Sequence, residues 1–120
     1  MYEIFLADEF QVFLKFVLAT PKMIALMEKA SMSAVDSYLD KGYTSVGTSI
    51  DVKHVSATPI GMKVDVKSEL IKIDGKKLLF KVEAHDELGL IGEGTHERFI
   101  VDAEKFIKKA EDKSQSIKKF

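Results

Sequence analysis

The sequence predicts an α+β domain in which one long apolar helix packs on an antiparallel sheet. Three observations lead there. Between Met23 and Leu39 apolar residues recur at three and four positions, the period of a helix. After Gly42 the pattern changes to alternation, the period of a strand. Short turn signals then separate successive alternating stretches, which favours a meander with the helix on one face.

Residues 1–19 are rich in Phe, Leu and Val and read as a short strand or packed arm. Thr20-Pro21 marks a helix start, since Thr caps free N–H groups and Pro is tolerated in the first turn. The helical stripe comprises Met23, Met27, Ala30, Ala34 and Tyr38, with Ile24, Met32, Val35 and Leu39 beside it. A stripe this broad predicts burial over much of the circumference, with Gly42 as the stop. Next, Val46, Thr48, Ile50, Val52 and His54 fall on one face of a strand, and Gly47, Ser49, Asp51 and Lys53 on the other. Thr58-Pro59-Ile60-Gly61 is a turn by composition. Met62, Val64, Val66, Ser68 and Leu70 alternate with charged residues, as in a half-solvated antiparallel strand. Asp74-Gly75 signals a hairpin, followed by Leu78, Phe80, Val82 and Ala84 as the next inward set. Glu87 to Gly89 turns the chain, Ile91 to Val101 forms a last strand, and Asp102 caps a lysine-rich helix or tail over 103–120.

The 120 residues suit one domain spanning 1–120. A net charge of −1 gives the chain no overall field for nucleic acid or an anionic membrane. The absence of cysteine excludes disulfides, thiolate zinc sites and a cysteine nucleophile. Lys or Glu interrupts each apolar stretch well before the roughly 20 residues of a membrane span. Acidic Asp8 and Glu9 stand where a secretory signal would be basic, so a cytoplasmic protein is expected. No metal site is expected: the separations of His54, His85 and His96 fit no common ligand motif. The terminal lysines, interleaved with Glu104, Glu111 and Asp112, read as a solvated face.

Glu28 is the sharpest anomaly. It lies four residues from both Ile24 and Met32 and so interrupts an apolar row. A carboxylate kept from water there costs several kcal/mol unless paired and suits a general base or nucleophile; a place at the edge of the stripe, paired with Lys29 or another surface group, fits the position equally well. His54 closes its strand just before a turn, where a lone imidazole is more often solvated or structurally bonded; facing the helix carboxylate, it can instead share a proton with it. Thr20 serves as an N-cap and stands where a helix N-terminus stabilises developing negative charge. Gly47 interrupts a strand, the mark of a bulge or of a close approach. Gly92 and Gly94 suggest a tight backbone approach at a subunit seam or a ligand arm. Arg98 is suited to gripping phosphate, with a surface ion pair to Glu97 or Glu83 as the plainer reading.

Three segments carry a family resemblance: Thr20-Pro21-Lys22-Met23 through Glu28, then Gly47-Thr48 through His54 with Ala57-Thr58-Pro59, then Gly92-Glu93-Gly94-Thr95-His96-Glu97-Arg98. Together they resemble the hotdog-fold acyl-CoA thioesterases related to fluoroacetyl-CoA thioesterase. The resemblance implies a hotdog fold, a homodimer with sites at its interface, and hydrolysis of an acyl-CoA thioester. Coenzyme A enters as part of the substrate, with no separate cofactor. By the same resemblance Thr20, Glu28 and His54 are the catalytic residues, and Gly47 and Arg98 bind substrate. Only 19 residues precede Thr20, fewer than the family carries, and Phe13 and Phe16 are the aromatics from which a gate would be drawn. The alternative is a non-catalytic hotdog module that binds an acyl thioester or small hydrophobic ligand, with a dehydratase a weaker third.

Overall fold

The computed structural model describes residues 2–6 and 17–118. The elements run β1 (Tyr2–Leu6), α1 (Thr20–Asp36), β2 (Tyr43–His54), β3 (Lys63–Asp74), β4 (Lys77–Asp86), β5 (Gly89–Asp102) and α2 (Ala103–Lys118). All sheet pairings are antiparallel, in the order β1-β3-β4-β5-β2, so β1 and β2 are the edges. Helix α1 packs against β2, β3, β4 and β5. The core forms between them, from Met23, Leu26, Met27, Ala30 and Val35 on the helix and Val64, Val66, Leu78, Phe80, Val82 and Ala84 on the sheet. The α+β class, the β3–β4–β5 part of the meander and the inward faces of β3 and β4 agree with the sequence pattern, whereas β2 does not extend that meander and crosses to pair with β5 rather than β3.

Three further features modify that pattern. First, α1 ends at Asp36, six positions before Gly42. Bonds from Tyr38 N–H to Val35 O and from Leu39 N–H to Asp36 O tighten the chain out of the helix. Tyr38 therefore leaves the apolar stripe and is 84% exposed. Second, the broad coverage that the stripe predicts is graded: Met23, Leu26, Met27, Ala30, Ser31 and Val35 are buried, whereas Ile24, Glu28 and Met32 are only half-covered and Ala25 is exposed.

Third, β2 carries a bulge. Gly47 pairs with Arg98 and Ser49 with Glu97, so Thr48 is the extra residue. One added residue reverses the side-chain alternation. Ser45 and Gly47 face α1 before the bulge, and Ile50, Val52 and His54 are the more buried set after it. The single face read from Val46 to His54, with Gly47 opposite, is corrected accordingly. Extra residues on both partners, Thr48 here and Ile91 where β5 meets β4, bracket the segment that holds the site.

The turns match their signals. The β3–β4 hairpin places Gly75 at φ +61°, and Asp102 Oδ1 accepts the Lys105 N–H at 3.1 Å to cap α2.

Candidate active site

Thr20 and His54 meet. Thr20 Oγ1 lies 2.8 Å from His54 Nδ1, joining the first turn of α1 to the last residue of β2. The expected capping role of Thr20 is corrected: Ala19 is the N-cap, no side chain caps the helix, and the Thr20 hydroxyl is committed to the imidazole. His54 Nε2 is buried with no hydrogen-bond partner among the described residues. A buried imidazole nitrogen is rarely left so. A shallow cavity of about 250 Å³ opens beside the pair, bordered by Leu18, Thr20, His54, Val55, Ser56 and Ala57.

Backbone bonds hold this pair in register. Val55 N–H donates to Ile91 O at 2.7 Å, pinning the chain as it leaves His54. Leu18 N–H donates to Thr58 O at 2.9 Å, and Val17 bridges Pro59, pinning the chain as it approaches Thr20. Thr58 is fully buried, and its hydroxyl donates to Asp86 Oδ2 at 3.0 Å. Asp86 Oδ1 also accepts the N–H groups of Leu88 and Gly89 at 2.8 and 3.2 Å. One carboxylate thus clamps the loop after β2 to the β4–β5 turn.

Glu28, Gly47 and Arg98 form a second cluster, with His96 as a fourth member. A Cβ on Gly47 would stand 3.0 Å from Glu28 Oε1, 3.2 Å from His96 Cε1 and 3.5 Å from Arg98 Nη1. Three polar side chains therefore converge on the space this glycine leaves open. Arg98 is 6% exposed: its Nε donates to Ser45 Oγ at 2.8 Å and its Nη2 to Ser45 O at 2.7 Å. It is not the surface ion-pair partner of Glu97 or Glu83, which bind Lys77 and Lys81 instead, and its buried fork is not held out toward solvent-borne phosphates.

His96 is 1% exposed, stacks on Phe80, and lies within hydrogen-bond reach of Ser49 O at 2.8 Å and Arg98 Nη1 at 3.3 Å. Burial holds its pKa below the ordinary histidine value, with the Arg98 charge acting the same way. The Ser49 bond and the Glu28 carboxylate oppose that shift. His96 was not singled out by sequence reasoning for any role other than a rejected metal site. Its signal was available: His96 and Arg98 continue the alternation of Gly92 and Gly94 toward the helix side of β5.

Gly92 and Gly94 are explained within the chain. Met23 Sδ fills the position of a Gly92 side chain, and the Asp51 carbonyl of β2 fills that of Gly94. The close approach is that of helix and neighbouring strand, so neither glycine is needed for a seam or ligand arm. Phe13, Phe16 and Lys119 lie outside the described residues. Among the described residues no helix is long and apolar enough to cross a membrane, and no three acidic or histidine side chains gather as a metal site.

The two clusters are separated along α1. Glu28 follows Thr20 by eight positions, about 12 Å of helix rise, so one chain does not bring its Glu28 to its own Thr20–His54 pair.

Helix, sheet order and this distribution of polar groups set the chain among the hotdog-fold thioesterases. The profile of the fluoroacetyl-CoA-specific thioesterase family matches residues 5–104. The fluoroacetyl-CoA thioesterase of Streptantibioticus cattleyicolor is 45% identical over 98 residues, 82% of this chain and 70% of that protein. A solved structure of a fluoroacetyl-CoA thioesterase superposes with a TM-score of 0.89 at 38% identity, over 94% of this chain and 93% of that one. A thioesterase superfamily member from Thermus thermophilus superposes at 0.94 with 24% identity, over 99% and 93% of the two chains, a likeness of fold alone. The chain belongs to the fluoroacetyl-CoA-specific thioesterase family and is a thioester hydrolase of the hotdog fold.

Proposed function

We propose that the protein hydrolyses an acyl-CoA to a free acid and coenzyme A, at two equivalent sites built across a homodimer. Thr20 and His54 of one subunit work with Glu28 of the partner subunit. The observation that carries this reading is the Thr20–His54 pair with its second imidazole nitrogen unsatisfied among the described residues. A hydroxyl bonded to an imidazole whose other nitrogen seeks a carboxylate is the arrangement that activates an attacking oxygen. Glu28 of its own subunit lies too far along α1 to supply that carboxylate. Two features support a second copy as the source: the half-covered row of Ile24, Glu28 and Met32, and the outer edge of β2 at the end of the sheet.

In this site the imidazole–carboxylate pair takes a proton from an attacking water that Thr20 positions. The water oxygen bonds to the thioester carbon and becomes the hydroxyl of the free acid. The C–S bond then breaks, and the same proton goes to the departing thiolate. The thioester oxygen gains negative charge beside the first turn of α1, where the helix dipole favours it. Gly47, with Glu28 and Arg98 above it, borders the acyl end. Arg98, buried and bonded to Ser45, serves that end rather than the phosphates. A cytoplasmic setting is in keeping with a chain that has no cysteine.

The test is a panel of acyl-CoA thioesters, acetyl- and fluoroacetyl-CoA included, assayed by free-thiol release. Wild type is expected to turn over at least one of them, and Glu28→Ala to abolish turnover while the dimer remains folded. Full activity in Glu28→Ala would overturn the mechanism. Tight acyl-CoA binding without thiol release by wild type would instead establish the non-catalytic module.

A further inference from the structure

We propose that His96 is a positioning residue that fixes the tilt of the Arg98 guanidinium over Gly47, a role that rests on the thioesterase reading above. The neighbours of His96 leave it one proton arrangement. The Ser49 carbonyl, 2.8 Å from Nδ1, can only accept, so Nδ1 carries the hydrogen. Arg98 Nη1, 3.3 Å from Nε2, can only donate, so Nε2 offers its lone pair. An imidazolium would turn an N–H toward the guanidinium and break that bond. The ring is enclosed, with its centroid 6.3 Å from that of Phe80, and cannot swing aside without disturbing the core.

The need for such a residue follows from how Arg98 is held. Its Nε and Nη2 both bind Ser45, so the planar fork is fastened along one edge. A plane fastened along one edge can still tip about it. Nη1 is the free corner, and it is the guanidinium atom nearest the open space above Gly47. The Nε2 lone pair of His96 holds that corner. Through Nδ1 the same ring is tied to Ser49, on the far side of the β2 bulge from Gly47. His96 thereby couples the bulge to the direction in which Arg98 presents its charge. Glu28 on α1 and Arg98 on β5 are the charged groups that face the ring.

Two near-isosteric substitutions separate this role from simple support of the bulge. In His96→Gln the amide oxygen reaches the position of Nε2 and can still accept from Arg98. In His96→Asn the amide reaches only the position of Nδ1, so it retains the Ser49 bond and loses Arg98. We expect His96→Asn to lower kcat/KM on the order of 10-fold and His96→Gln to retain most of it. In an Arg98→Lys background the Asn substitution should cost no more than about 2-fold, since residues acting through one another are non-additive. The proposal is overturned if His96→Asn is the more active of the two, or if its loss is undiminished in Arg98→Lys. Imidazole ¹⁵N shifts of the wild-type protein at neutral pH supply a test that needs neither variant folding nor turnover. Nδ1 protonated with Nε2 bare is expected; the other tautomer or an imidazolium overturns the proposal. A wild type that cleaves no acyl-CoA while showing the expected shifts would refute the thioesterase reading and leave the tautomer standing.

Discussion

At the scale of single residues, the site depends on what Gly47 lacks. Its backbone is not in the left-handed region, so Gly47→Ala is a question of space alone. The new methyl group would meet the far ends of Glu28 and His96 at 3.0 and 3.2 Å, and both must give way. Because the enclosed His96 ring cannot move without disturbing the core, we expect a lowered Tm together with a loss in kcat/KM of roughly 10-fold, measured by thermal melting and thiol release. Gly94→Ala is a different case, because its Cβ would strike the β2 backbone at Asp51 and Val52. That variant should lose stability by about 1–3 kcal/mol or fail to fold, as chemical denaturation would show. His96 adds a pH dependence. Its folded pKa lies below the ordinary value of about 6.5, so below that pH the unfolded chain binds the extra proton first. Stability should therefore fall as pH drops below about 6.5, and the fall should be shallower in His96→Gln, in melts taken between neutral and mildly acid pH. Glu28 and His54 were legible in the sequence, one as a charge in an apolar row and the other as a strand-end imidazole. Their separation was not. Helical period places Glu28 on a face and says nothing about which imidazole stands over it.

At the scale of elements, the loops on either side of the Thr20–His54 pair are as consequential as the pair. Asp86 is the common anchor, holding the Thr58 hydroxyl and two turn N–H groups. Asp86→Ala leaves a buried hydroxyl and two backbone donors without their acceptor, a loss on the order of 1–3 kcal/mol. It should also lower kcat through misplacement of Thr20, whereas Thr58→Ser in the otherwise wild-type chain, which keeps the hydroxyl on Asp86, should stay close to wild type in both properties. The sequence showed Thr58-Pro59-Ile60-Gly61 as a turn but gave no sign of Asp86, because a clamp between two turns is set by tertiary proximity. The end of α1 was misjudged for a related reason. Tyr38 and Leu39 keep the helical spacing, yet their own i−3 bonds have already turned the chain. The strands β3 and β4 were read correctly because each has one buried face and no bulge within its inward set of buried residues.

At the scale of the molecule, the distance between Thr20 and Glu28 along one helix makes a statement about assembly. If each site draws on two subunits, then Glu28→Ala and His54→Ala chains, each inactive alone, should complement when mixed and allowed to exchange. Random pairing gives half heterodimers with one intact site in two, so roughly a quarter of wild-type activity is expected. No recovery with demonstrated exchange would place the whole site in one chain. The same geometry predicts that Met32→Glu, which sets a charge in the half-covered row of α1, weakens association and activity together, as sedimentation and thiol release would report. Fold class was legible because a 3.6 period followed by four stretches of period two admits few layered arrangements. The half-covered row of Ile24, Glu28 and Met32 was not, since such a row looks in sequence like any other part of a buried helix.

The extra residue in β2 has an implication for how this protein tolerates change in length. Thr48 acts as a phase shifter: upstream of it the odd-numbered positions look toward α1, and downstream the even-numbered ones do. Removing that one codon would leave the strand intact as a ribbon while inverting one half relative to the other. Either Gly47 and Ser45 would turn outward, or Ile50, Val52 and His54 would. A protein able to absorb most point substitutions at Thr48 should thus be intolerant of its deletion, with the His54 imidazole among the groups that stand to be exiled to solvent.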